Sequence, residues 1–161
     1  MHRLLLLLLL TACAATPPAT AVTDVAPADL PAAVMAAVQA ARPGLVVTEA
    51  QLKLREGRRY YDVGGRLPDG DEVELDLLAE GDRWTVVEIQ RDIPWATAPE
   101  PVRAAATPQL RGAAPVRVIE SAQINGVIIY ELFAAGRPAN PALEVKWEGG
   151  AATLLTQAWP H

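Results

Sequence analysis

Between residues 46 and 89, polar and apolar positions alternate in four short runs separated by turn residues. Val46 to Leu54 sets Thr48, Ala50, Leu52 and Leu54 on one face of an extended chain and Glu49, Gln51 and Lys53 on the other. Arg59 to Val63 is a second strand and Trp84 to Ile89 a fourth. The third, Glu72 to Leu77, alternates so cleanly that one of its faces must be wet. Glu56-Gly57, Pro68-Asp69-Gly70 and Glu80-Gly81-Asp82 supply the turns. Ahead of these strands the period becomes helical, with Leu30, Val34, Val38 and Ala41 on one side. Asp29 is placed to cap that helix, and Pro31 falls in its first turn, where a missing N–H costs nothing. Pro43-Gly44 ends it. The unit is one helix and four antiparallel strands.

The pattern then restarts. Thr97 is placed to cap a second helix that begins near Pro99 or Pro101 and carries Val102, Ala105 and Ala106. Pro108 should interrupt or kink it, and Gly112 ends it. Strands are expected over residues 116–124, 127–133, 143–147 and 153–158, the first two joined by a tight Asn125-Gly126 turn. Landmarks recur about seventy residues apart. Gly57 matches Gly126, Tyr61-Asp62 matches Tyr130-Glu131, and Val73-Glu74-Leu75 matches Leu143-Glu144-Val145. Glu49-Ala50 matches Glu120-Ser121 if the second hairpin is two residues shorter. The expected fold class is therefore α+β. It has two tandem units, residues 29–93 and 94–161, able to join into one continuous eight-stranded sheet with a concave surface.

The amino terminus is of a different kind. Arg3 precedes seven leucines, and Thr11-Ala12-Cys13 follows. A basic start, a short apolar run and small residues before a cut site make a secretory signal over residues 1–12. An apolar stretch of about nine residues is too short to span a bilayer, which takes about twenty. Leu10-Thr11-Ala12-Cys13 resembles the lipobox of bacterial lipoproteins. That resemblance implies cleavage before Cys13, lipidation of its thiol, and an envelope location on a lipid anchor alone. Ala14 rather than Asp after the cysteine points to the outer membrane, facing the periplasm. Residues 13–28, proline-bearing and without apolar periodicity, are expected to be a flexible tether spanning roughly 20 Å.

Without residues 1–12 the chain loses only Arg3 among its charged residues, leaving 13 basic against 19 acidic. Such a domain has no electrostatic reason to bind nucleic acid, and a polypeptide partner should be neutral or basic. The residues expected of an enzyme are scarce. One histidine, His161, stands at the end of the processed chain, one serine, Ser121, lies in an expected strand, and the only cysteine is Cys13. A serine or cysteine nucleophile wants a neighbouring base, and zinc wants clustered His and Cys. Gly64-Gly65 and Gly149-Gly150 lie beside strands and do not open phosphate-binding helices. Glu72, Glu74 and Asp76 share one strand face at spacings of about 7 Å, which suits either a glycosidase pair or a solvated sheet face. Asp69-Gly70-Asp71 with Glu72 reads as a polar turn and lacks the ligand order of a calcium-binding helix–loop–helix. The expectation is a non-catalytic protein with no metal and no cofactor.

The runs DLPAAVMAAVQAARPGLVVTEAQLKL, GRRYYDVGG and DGDEVELDL resemble the PepSY-like domain, related to the β-lactamase-inhibitor-like fold. INGVIIYELF with LEVKWEGG is a weaker second copy. The resemblance implies tandem units in an envelope protein that binds or inhibits another protein, with no catalytic motif to carry over. The surface expected to do so is the sheet face away from the helices. Alternation assigns it Glu49, Gln51, Lys53, Tyr60, Asp62, Glu74, Asp76 and Trp84 from the first unit and Glu120, Glu144, Lys146 and Glu148 from the second. Tyr60 and Trp84 are the expected anchors, with Glu74, Asp76, Glu144 and Lys146 around them. Trp95 is expected to lock the units together, and Trp147 and Trp159 to pack in or near the second core. The alternative is a carrier or sensor of a small ligand, which needs a mainly apolar pocket between sheet and helices.

Overall fold

The structure, a computed structural model, describes residues 21–136 and 139–159. It is α+β: two helices and one open antiparallel sheet of nine strands, each strand paired with the next in chain order. The first half holds β1 (Ala21–Asp24), α1 (Ala32–Ala41), β2 (Val46–Arg55), β3 (Arg58–Arg66), β4 (Glu72–Glu80) and β5 (Arg83–Asp92). The second holds α2 (Glu100–Leu110), β6 (Arg117–Gln123), β7 (Ile128–Phe133), β8 (Leu143–Glu148) and β9 (Ala151–Leu154). β5 and β6 pair directly, Glu88 opposite Gln123 and Asp92 opposite Ile119, so the sheet is continuous.

Each helix covers its own core. Val34 and Val38 of α1 are fully buried against Val63, Leu75 and Leu77. Val102 and Ala106 of α2 are fully buried with Val118, Tyr130, Leu132 and Val145. Burying one such aliphatic side chain contributes about 1.5–3 kcal/mol. Trp95 and Trp147 pack against the second core as half-buried residues.

Neither helix is capped as expected. Asp29 and Thr97 belong to single 3-10 turns, Pro27–Asp29 and Trp95–Thr97, and the N-cap positions are Pro31 and Pro99 without side-chain caps. A proline there sets an extended backbone just before the helix. Pro108 sits inside α2 without ending it, although it has no N–H to give the preceding turn. The last strand ends at Leu154 rather than running to Ala158.

Two further differences matter for the site. Ala21–Asp24, expected in the tether, form an edge strand with Ala21 opposite Leu54 and Asp24 opposite Gln51. Its residues are all exposed, so it is held by ladder hydrogen bonds rather than by burial, which is why apolar periodicity missed it. The second is a bulge. Asp76 pairs with Glu88, but Leu77 pairs with Val86, leaving Val87 extra on β5. One extra residue reverses the alternation beyond it. Trp84 therefore turns to the helix side, where its ring packs against buried Tyr61, tilted by 59° with centroids 4.9 Å apart. Tyr60 points the other way. The expected pairing of Tyr60 and Trp84 on one face is thus corrected.

Candidate functional site: the acidic sheet face

The register places a row of polar side chains across the face away from α1. Asp24, Gln51, Asp62, Asp76, Glu88 and Gln123 stand opposite one another in turn along β1 to β6. Strands lie about 4.8 Å apart, so these side chains are immediate neighbours. A parallel row carries Glu49, Gly64, Glu74, Gln90 and Ser121. Tyr60 lies one step along, opposite Lys53 and Leu78, with the Arg55 guanidinium 4.9 Å from its ring centre. The sequence-based assignment of Glu49, Gln51, Lys53, Tyr60, Asp62, Glu74 and Asp76 to this face matches the register.

Although no helix covers these acids, Asp62, Asp76 and Glu88 are buried. They are crowded by one another and by the side chains beside them. Lys53 Nζ pairs with Asp62 Oδ2. Glu88 Oε1 accepts from Ser121 Oγ and, at 2.8 Å, from Gln90 Nε2; Gln123 Nε2 donates to Ser121 Oγ at 2.7 Å. Ser121 is fully buried in this network at the join of the two halves. Glu74 is less enclosed. Burial raises its carboxyl above the ordinary value; Glu49 and Glu88 add to the rise, while Lys53 and Arg117 oppose it. One carboxylate oxygen from each of Asp62, Glu74 and Asp76 lies within 4.8 Å of the others.

Two clefts open on this face and share Thr48, Glu49, Gly64 and Glu74. One, of about 620 Å³, runs from Asp24 and Pro27 past Gln51 to Lys53 and Asp62. The other, of about 400 Å³, continues toward Arg66, Gln90 and Arg117. Both are lined mainly by charged and polar groups, unlike the apolar pocket a small-ligand carrier was expected to need. The turn after β1 is one wall of the larger cleft. Gly64 is its floor: a Cβ there would meet the Glu49 side chain at 2.8 Å.

The second half differs. Glu131 and Glu144 stand opposite each other on the same face but are buried beside Ile119, Ile129 and Phe133. The carboxyl-terminal segment reaches them: the Trp159 backbone N–H donates to Glu144 Oε2 at 2.5 Å. Glu144 is therefore already engaged within the chain. Lys146 is half-buried and paired with Glu148 at 2.7 Å.

Glu120 is on the opposite, helix-covered side. Its register partner Tyr130 belongs to the second core, as Leu52 faces Tyr61 in the first half. Glu120 thus takes the place of Leu52, not that of Glu49. There Glu120 Oε1 pairs with Arg91 Nη2 at 2.7 Å and Oε2 accepts from the Tyr130 hydroxyl at 3.1 Å. Burial first, and then Glu120, push that hydroxyl well above the usual tyrosine range. The sequence reading did not single out Asp24, Glu88 or Gln90 for this face, and it placed Ser121 only in a strand. Simple alternation from Trp84 would have placed Glu88 on this face; the bulge moves Trp84, not Glu88.

Comparison of the chain with family models, curated proteins and solved structures finds no match. Among the described residues, no helix is long and apolar enough to cross a membrane. Residues 1–12, Cys13 and His161 lie outside the described residues.

Proposed function

We propose that this is a non-catalytic binding protein of the bacterial envelope, anchored through lipidated Cys13, that holds a basic polypeptide segment on the acidic face of its first half. The observation that carries this reading is the row Asp62–Asp76–Glu88, flanked by Asp24, Glu49 and Glu74 and bordered by two open polar clefts. Such a face attracts lysine and arginine side chains and sets their orientation. Tyr60, half-buried beside Lys53, offers the aromatic contact that interfaces favour. Two sequence-derived candidates drop out, because Trp84 packs against the first core on the other side and Glu144, though on this face, is held by the chain's own tail.

In this reading the halves are tandem PepSY-like units, and inhibition of a partner follows when the bound segment is one the partner needs. Support for duplication comes from the common order of 3-10 turn, N-cap proline, helix and four strands, and from the matching core positions of Tyr61 and Tyr130. The test is fluorescence anisotropy with a labelled short peptide rich in Lys and Arg, beside an acidic peptide of equal length. The basic peptide alone should bind, more weakly as salt rises, and Asp76→Asn should cost at least about tenfold in affinity. A basic peptide that does not bind at low salt refutes the proposal. Replacing Cys13 with Ser should release the chain from the membrane fraction; retention there refutes the anchor.

A further inference from the structure

We infer that Asp62, Glu74 and Asp76 form a binding site for one calcium ion on the floor of the acidic face. One carboxylate oxygen from each lies within 4.8 Å of the other two, which is the separation of two ligands on opposite sides of one ion at about 2.4 Å. A second observation points to a cation. The Asp62 side chain is 8% exposed, and its Oδ1 has no hydrogen-bond partner while Lys53 holds its Oδ2. An unsolvated carboxylate oxygen without a donor is costly, and a cation satisfies it. Asp62 and Glu74 both line the larger cleft, so the cluster lies at its edge.

Three carboxylate oxygens gathered this closely favour a divalent over a monovalent cation. The donors are all oxygens, which suits hard cations rather than zinc or copper. Calcium accepts irregular sets of oxygens, whereas magnesium requires near-octahedral geometry at about 2.0–2.1 Å and gives up water reluctantly. Exposed Glu49, whose carboxylate lies over Gly64 beside Glu74, can add a ligand from the solvent side, and water completes the shell.

The test is equilibrium dialysis of the full chain against radioactive calcium, with EDTA-treated protein as the start. One ion per chain should bind, at least about tenfold more weakly in Asp62→Asn and in Glu74→Gln. Asp69→Asn should leave binding unchanged, because Asp69 lies in the exposed β3–β4 turn and holds the Asp71 N–H. No bound calcium at millimolar free metal overturns the site, as does unchanged affinity in both carboxylate variants. Should Asp62→Asn fail to fold by circular dichroism, Glu74→Gln decides. Peptide anisotropy in EDTA separates the two proposals: the peptide reading fails if no basic peptide binds there, and the calcium site fails on dialysis alone.

Discussion

Replacing Glu74 with Gln should stabilise the metal-free protein at neutral pH. Burial raises the Glu74 carboxyl, Glu49 and Glu88 raise it further, and carboxylate oxygens of Asp62 and Asp76 lie no more than 4.8 Å away. At an effective dielectric of about 20, two unit charges at that distance repel by about 3.5 kcal/mol. Lys53 offsets roughly one such pair, and solvent at this half-buried side chain screens much of the rest. The net cost of ionised Glu74 is then on the order of 1 kcal/mol. The pH dependence follows from the direction of the shift. The folded state binds the proton more tightly than the unfolded chain, so the contribution of Glu74 is fully favourable below the ordinary value of 4.5 and is lost as pH rises through the folded value. Urea unfolding in EDTA at low salt should show Glu74→Gln ahead by about 1 kcal/mol near pH 7, with the gain shrinking to nothing near pH 4. A gain that persists at acid pH, or no gain at neutral pH, refutes the electrostatic account.

Tyr60 and Trp84 should separate cleanly. Tyr60→Ala is expected to weaken basic-peptide binding with an unchanged melting temperature, while Trp84→Ala loses the tilted ring contact with Tyr61 and costs about 2–3 kcal/mol in denaturant unfolding. Gly64→Val has backbone freedom to fold, with stability changed by less than about 1 kcal/mol, but its side chain displaces Glu49 and raises the cleft floor. Peptide affinity measured by anisotropy should fall with it. Leu75→Ala, at a fully buried position beneath α1, should cost about 2–5 kcal/mol by urea titration.

Much of this architecture is legible from residue pattern. The helical spacing of Val34 and Val38 and the alternation of Glu72 to Leu77 are local consequences of where apolar side chains must go, and both hold in the fold, while Leu30 reaches the same core from just before the helix. The acids at Asp62, Glu74 and Asp76 were assigned to the right face for the same reason. β1 was not legible, because a strand with every residue exposed leaves no burial signal and exists only through its partner β2.

Composition and periodicity by themselves determined the α+β class, two helix-plus-four-strand segments and a strongly acidic sheet face, because alternation and helical period are properties of a few consecutive residues. Tertiary structure decided which acids meet. The extra residue at Val87 sent Trp84 into the first core, the pairing of Glu120 with Tyr130 moved that acid to the helix side, and the tail took Glu144. Each of these depends on register between strands distant in the chain, and a shift of one residue there exchanges the two faces of a sheet.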